Sequence, residues 1–163
     1  MKLMTSKSVN GSLGFLLNKG TLTLQRQLNR NFNSEGFDIT HEQWSVLIFL
    51  YHFDGQSQNE IASKTQRDKV SITKIIDNLE KRGLVFRAPD ETDRRVKRIY
   101  LTSDGKNLVP KLKNIAEETL RSAFCGIKKK DLDTFKQVLS SMVKNLTGDD
   151  LLKFITINKG RWK

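Results

Sequence analysis

The chain is poor in the residues that would place it in several large classes of protein. Its 163 residues include a single cysteine, Cys125, two histidines and two prolines. One cysteine excludes an intrachain disulfide and fits a reducing compartment. One cysteine with two histidines excludes a cysteine-rich zinc site. No run approaches the ~18 apolar residues that cross a bilayer. The short apolar patch Leu13 to Leu17 has no small-residue cleavage pattern behind it, so neither a spanning helix nor a secretory leader is expected. His41 and His52 have no nucleophile or paired carboxylates beside them, and no glycine-rich phosphate loop occurs, which argues against an enzyme. Acid is scarce too: 18 Asp and Glu stand against 29 Lys and Arg, a formal net charge of +11. That excess favours a polyanionic partner or an anionic membrane surface. The tail after Gly148 is the one candidate for a basic amphipathic membrane helix. The expectation is a soluble, cytoplasmic protein with neither metal nor cofactor.

What the chain does have is an ordered series of signals between Ser57 and Leu101. Ser57 followed by Glu60 is a capping box, in which each residue's side chain bonds the other's amide, so a helix starts there. It is short, because the apolar pattern stops after Ile61 and Ala62 and Thr65-Gln66-Arg67 form a polar turn. A second helix follows, with Ile72, Ile75, Ile76 and Leu79 at the spacing that places all four on one face. At 100° per residue the opposite face carries Val70, Thr73, Lys74, Asp77 and Lys81, flanked by Lys69 and Ser71. Lys81 and Arg82 suit the negative end of the helix dipole, and Gly83 suits a left-handed stop. Leu84 to Arg87 and Val96 to Leu101 read as strands, with Leu84/Phe86 and Ile99/Leu101 as alternating apolar pairs. They predict a hairpin whose loop, Pro89 to Arg95, is charged and followed at once by Lys97 and Arg98.

An exposed polar helix beside an arginine-bearing hairpin is the geometry of a duplex reader. The helix enters the major groove while an arginine reaches the narrow minor groove, where negative potential is highest. Only part of the net charge lies here: eleven Lys and Arg against seven Asp and Glu between Ser57 and Leu101. Shape therefore carries more of the expectation than bulk charge. Backbone contacts are expected from the Ser57 helix start, Lys64, Arg67 and Lys69. Val70, Ser71, Thr73 and Lys74 are the candidates for base edges, Val70 against a thymine methyl.

The run from Glu60 to Thr102, with E-K-R-G-L at Glu80 to Leu84, D-x-x-D-R-R at Asp90 to Arg95 and I-Y-L-T at Ile99 to Thr102, resembles the MarR-type (multiple antibiotic resistance regulator) transcription factors. Thr40-His41-Glu42-Gln43-Trp44-Ser45-Val46-Leu47 and the flanking helices are similar to that family as well. The resemblance implies a mainly α fold with a small β-wing, a winged helix-turn-helix whose N- and C-terminal helices form a dimerisation layer. It implies a lobe at residues 40–101, a helical dimerisation region at 1–39 and 102–163, and repression as the usual mode. It also implies that Arg94 or Arg95 enters the minor groove while Asp93 pairs with a wing arginine and holds the tip.

The remaining segments fit that frame. Residues Met1 to Ser12 read as a flexible lead-in. Leu16, Leu17, Leu24, Leu28 and Phe32 predict one long helix from Leu13 to Asn33, which Gly14 and Gly20 weaken by roughly 1 kcal/mol each. Thr40 with Gln43 is a second capping box, and Ile39 can staple onto Trp44. The helix it opens runs to about His52, with Trp44, Leu47, Ile48 and Tyr51 inward, and Asp54-Gly55 closes it. Thr102 is a plausible cap for a long helix carrying Leu108, Leu112, Ile115, Thr119, Ala123 and Phe124, with a kink expected near Pro110. After a break at Gly126 to Lys130, Asp131 to Leu146 presents a seam of Leu132, Phe135, Leu139, Met142 and Leu146. Many relatives have Ser or Thr as the cap there, where this chain has Lys128-Lys129-Lys130. The tail from Gly148 to Lys163 is left open.

A single recognition helix reads only a few base pairs, and two half-sites a helical turn apart supply the rest. A homodimer on double-stranded DNA is therefore expected. The resemblance adds a small aromatic or phenolic effector in a crevice between dimer layer and lobe, with Phe15, Trp44, Phe49 and Tyr51 as candidate lining. Such a ligand acts only through unequal affinity for the two half-site spacings. Oxidation at Cys125 is an alternative switch, although the thiol sensors of that family carry their cysteine in the first helix; the plainer reading of a lone cysteine is a small buried hydrophobe. Constitutive binding without an effector also stays open. A winged-helix protein-interaction module is the alternative from another class; it would carry an apolar or acidic patch on the outer helix face.

Overall fold

Local capping decides where most helices begin. The computed structural model describes residues 12–148. The lead-in and the tail beyond Gly148, with their apolar and basic residues, lie outside the described residues. Helix α1, Leu13–Ser34, starts at an N-cap Ser12 whose hydroxyl accepts the Phe15 amide, so Ser12 belongs to the helix start and not to the lead-in. Helix α2, His41–His52, and helix α3, Gln58–Thr65, both open on the expected capping boxes, Thr40 with Gln43 and Ser57 with Glu60. Helix α4, Lys69–Lys81, is capped by Asp68 and followed by Gly83 at φ +68, the left-handed stop read from the sequence.

Three strands form one antiparallel sheet in the order β1-β3-β2, where β1 is Gln56–Ser57, β2 is Val85–Pro89 and β3 is Lys97–Leu101. The hairpin register places Val85 opposite Leu101 and Arg87 opposite Ile99. The phase of β2 differs from the expectation. Val85 is the inward residue, whereas Phe86 is 44% exposed and stacks on Tyr100 with ring centroids 5.4 Å apart. Leu84 is buried, but ahead of the strand, where its amide donates back to Leu79 at the end of α4. The two-residue strand β1 has no sequence signal of its own; it exists because β3 offers a free edge.

Helix α5, Ser103–Ala123, begins where the Thr102 hydroxyl accepts the Gly105 amide, the cap read from the sequence. It continues through Pro110, which removes one amide without ending the helix. Gly105 is demanded by packing: a Cβ there would lie 2.2 Å from the Leu84 carbonyl oxygen. One buried cluster joins Phe32 of α1, Val46, Leu47 and Leu50 of α2, Ile61 of α3, Ile72, Ile76 and Leu79 of α4, Val85, Ile99 and Leu101 of the sheet and Val109 and Leu112 of α5. The core thus runs across the boundaries at residues 39 and 102. On α2 the buried residues are Val46, Leu47 and Leu50, with Trp44 and Ile48 half-buried and Tyr51 43% exposed, so Tyr51 is not an inner residue. Trp44 meets Phe32 edge-on with centroids 6.1 Å apart.

The chain divides into two compact units, the first ending at Ala123 and the second beginning at Phe124. The second contains helix α6, Lys129–Thr147, which starts two residues earlier than expected and has no side-chain cap bond at Lys128. Its seam is open: Phe135, Val138, Met142 and Leu146 are exposed, and Leu132 and Leu139 are half-buried. Cys125 is exposed, against the buried-hydrophobe reading.

Candidate nucleic-acid interface

The recognition unit is built by three local devices. Gln66 takes the left-handed conformation at φ 52, ending α3 and turning the chain sharply into α4. The Arg67 amide then donates to the Ala62 carbonyl at 3.0 Å, and the Arg67 guanidinium donates to Glu42 on α2, also at 3.0 Å. Finally Asp68 caps α4 by accepting the Ser71 amide at 2.8 Å and the Ser71 hydroxyl at 2.6 Å. These two hydrogen bonds, the hydroxyl's first, hold the Asp68 carboxyl below its ordinary range.

Once α4 is so placed, Ile72, Ile76 and Leu79 are fully buried and the opposite face is open. Lys69, Val70, Thr73 and Lys74 are exposed, and Ser71 is half-buried beside its cap. Across from α4, Gln58 at the first turn of α3 donates its amide nitrogen to the Thr73 hydroxyl at 2.9 Å. The start of α3 is thereby tied to the exposed face of α4. Lys64 is exposed on α3, and Ser57 is committed to its capping box.

The wing is held by ion pairs that long-range folding brings together. Arg87 of β2 pairs with Glu80 and, at 2.6 Å, with Asp77, fastening the sheet to α4. In the loop, one Asp90 oxygen accepts from the Thr92 hydroxyl at 2.6 Å and from the Thr92 and Asp93 amides. Its other oxygen takes Arg98 Nε at 2.5 Å. The Thr92 hydroxyl first and the Arg98 guanidinium second hold the Asp90 carboxyl well below the usual carboxylate range. Arg98 continues inward, donating to the Gly55 carbonyl and to Glu60, both at 3.2 Å. Glu60 is itself lowered, chiefly by the Ser57 amide of its capping box. A chain of bonds therefore runs from the wing tip through Asp90, Arg98 and Glu60 to the start of α3.

Two expectations change here. The carboxylate that grips a wing arginine is Asp90, with Arg98 as its partner; Asp93 instead accepts the Arg95 backbone amide at 3.0 Å. Arg67, expected on the phosphate backbone, has its guanidinium committed to Glu42 and its Nε buried. The residues missed from sequence are Glu42, Gln58, Asp68, Asp90 and Arg98. Asp68 and Asp90 had local signals, an acid at a helix cap and an Asp-x-Thr turn. The others act across sequence gaps that no local pattern spans.

The outcome is a sorting of charge. Glu60, Asp77, Glu80 and Asp90 are all taken up by Arg87 and Arg98, and Asp68 by its cap. Arg94 and Arg95 at the tip and Lys69 and Lys74 on α4 are exposed and make no ion pair among the described residues. The four aromatics expected to line a ligand crevice do not form one cluster. Phe15 and Tyr51 are exposed, Trp44 and Phe49 are half-buried, and among the described residues no ring contact joins any two of the four.

Comparison with known proteins agrees with this geometry. A sequence profile of the MarR family matches residues 37–96, which run from ahead of α2 into the wing. The Bacillus subtilis protein described as the uncharacterized HTH-type transcriptional regulator YybA is 26% identical over 119 residues, 73% of this chain and 79% of that one. Among solved structures, a MepR-DNA complex from S. aureus superposes with a TM-score of 0.76 at 29% identity, covering 83% of this chain and 99% of that chain. CouR from Rhodococcus jostii RHA1, solved bound to p-coumaroyl-CoA, superposes with a TM-score of 0.73 at 25% identity over 84% and 95% of the two chains. No helix among the described residues is long and apolar enough to cross a membrane. From its capped recognition helix to its arginine-tipped wing, the chain is similar to the MarR family of transcriptional regulators, whose profile it matches over residues 37–96.

Proposed function

We propose that the chain acts as a homodimeric repressor that binds a pseudo-palindromic duplex and is released by a small aromatic or phenolic ligand. The observation that carries the DNA contact is the sorting of charge in the winged unit. The acids of α3, α4 and the wing base are consumed by Arg87 and Arg98, whereas Lys69, Lys74, Arg94 and Arg95 are exposed with no ion pair among the described residues. In this reading α4 lies in the major groove and the tip arginines in the adjoining minor groove, with Lys64 and the start of α3 at Ser57 against the phosphates. The dimer is supported by the open seam of α6 and by the need for two half-sites.

For the ligand, the support is chemical. Trp44 and Phe49 on α2 offer half-buried aromatic surface near the core, and CouR, a relative by structure, holds a coumaroyl thioester. A ligand there acts by favouring one spacing of the two reading helices over another.

The test is selection of duplexes from a random pool by the full chain, then titration of the best one at graded salt, then a screen of phenolic acids for release. Expected are a palindromic consensus and a linear fall of log affinity with log salt. Recovery of no sequence above background at modest ionic strength, or a monomer at micromolar concentration, overturns the reading.

A further inference from the structure

The exposed face of α4 carries two hydroxyls, and neither has a proton to give. Ser71 Oγ donates to Asp68 Oδ2 at 2.6 Å, the shorter of the two bonds that close the helix cap. Thr73 Oγ1 donates to the Lys69 carbonyl at 2.8 Å. A hydroxyl owns one proton, so the group of Gln58 that sits 2.9 Å from Thr73 Oγ1 has to be its amide N–H, and that contact fills an acceptor site as well. What each of these residues still offers a partner is reduced: acceptor lone pairs only on Ser71, and one lone pair and a γ-methyl on Thr73. Beside them stands Val70, 64% exposed, the most exposed large apolar side chain between Ser12 and Ala123. A valine at that position gains nothing from water and gains only if an apolar surface covers it.

We propose that α4 identifies thymine by its C5-methyl group, through Val70 and the γ-methyl of Thr73, and that the Ser71 hydroxyl takes no part in reading bases. The proposal rests on the DNA-binding function above and adds its specificity. The major groove displays hydrogen-bonding edges on every base pair, but its one methyl-sized apolar feature belongs to thymine. Lys69 and Lys74 flank the apolar spot and supply attraction to phosphate or guanine, and the methyl contact is the term that singles out thymine.

The experiment uses the full chain and the best duplex from the random pool, with fluorescence anisotropy at one fixed salt concentration. Each thymine is replaced in turn by deoxyuridine, which removes the methyl and nothing else. Expected is a loss of about fourfold at a contacted thymine in one half-site and roughly fifteenfold when both half-sites are changed, the scale of burying one methyl-sized group. In Val70→Ala that penalty disappears at one thymine while all others keep theirs. Thr73→Val, which keeps the methyl and loses the hydroxyl, keeps the deoxyuridine penalty at its thymine, and Thr73→Ser, which keeps the hydroxyl and loses the methyl, loses that penalty. Gln58→Ala controls for the acceptor that Thr73→Val takes away. Ser71→Ala stays within about twofold, since the Ser71 amide still closes the cap. Tight binding that ignores every deoxyuridine overturns the methyl readout while leaving DNA binding intact. A tenfold loss in Ser71→Ala, with melting temperature unchanged, also overturns it, because the hydroxyl would then be reaching the DNA. Failure to recover any duplex refutes the function itself, a different result from either.

Discussion

Helices α4 and α6 are both amphipathic in sequence, yet one finishes its apolar face inside its own unit and the other does not. In α4, Ile72, Ile76 and Leu79 are fully buried and the polar face is what remains for a partner. In α6 the polar residues apart from Ser140 are solvated or half-exposed, but Phe135, Val138, Met142 and Leu146 are solvated too. Each such side chain covered by a partner contributes about 1.5–3 kcal/mol. The lesson is that the partner's chemistry differs at the two helices: polyanion for the first, apolar surface for the second. Under the proposed function, a second copy of the chain would supply that surface, since two half-sites call for two reading helices.

The sharpest way to break the comparison is to spoil α6 and watch α4. Val138→Asp with Met142→Asp places two charges on a seam that is exposed in one subunit, so the monomer keeps its fold. If α6 pairs two copies, the variant is monomeric by analytical ultracentrifugation. Its operator affinity then drops on the order of a hundredfold or more, because the second half-site loses its high effective concentration. A variant that remains dimeric places the interface elsewhere.

Next in size is the wing tip. Arg94→Ala with Arg95→Ala removes two exposed guanidiniums that make no ion pair among the described residues. Affinity should fall about tenfold, the slope of log affinity against log salt should become shallower by roughly 1 for each phosphate that an arginine had neutralised, and the melting temperature should hold. Arg67→Ala gives the opposite pattern. Its guanidinium is bonded to Glu42, so the variant should lose about 1–3 kcal/mol of stability in urea while the salt slope is unchanged.

Smaller again is Arg98→Met. Arg98 joins Asp90, Gly55 and Glu60, and so sets the wing against the start of α3 without needing to touch DNA. A loss of about fivefold in affinity is expected, the modest scale on which solvent-screened ion pairs act. In the Arg94→Ala, Arg95→Ala background the same change should cost nothing further, because there is no tip left to position. Additive losses would instead make Arg98 a direct contact.

These contrasts also mark what can be read from the chain alone. Both capping boxes, the Gly83 stop, the buried face of α4 and the exposed arginine tip depend on residues three or four apart, or on a bare charge run, and all are legible. The phase of β2 is not. Leu84 is buried by the turn that ends α4, so alternation starts one residue later at Val85, and a shift of one residue turns every side chain over. Tyr51 departs from its expected place for a related reason: it falls on the helical stripe, but Val46 and Leu50 are the residues the helices around α2 cover. Arg67 reads as a phosphate contact, and Arg98 as bare wing charge, because charge is all that sequence shows of them. Arg67's partner Glu42 lies 25 residues away, and Arg98 reaches Glu60 across 38 residues besides Asp90 across 8.

The smallest effect separates the two surfaces by pH. Glu60, Asp68 and Asp90 all have carboxyls lowered in the fold, by the Ser57 amide, by the Ser71 hydroxyl and by the Thr92 hydroxyl with Arg98. A carboxyl lowered on folding contributes stability above its unfolded value, near 4, and loses it as pH falls through the folded value. The wing and both caps should therefore be unchanged from pH 8 to about 5 and loosen only below about pH 4, read as faster amide exchange at Thr92 and Asp93. His41 works in a higher window. Burial, the largest influence, lowers its pKa, so the fold prefers the neutral ring, and stability declines as pH drops below about 6.5, where the unfolded chain takes up the proton. His41→Asn should remove that shallow decline in melting temperature between pH 7 and 5.5 and leave the acid limb in place. The open seam of α6 is apolar, and neither these carboxyls nor His41 lie on that helix, so dimerisation should follow neither window. A dimer that dissociates in step with His41 would mean that the core beneath α2 and the subunit contact are one coupled structure, and the division of labour between α4 and α6 would have to be given up.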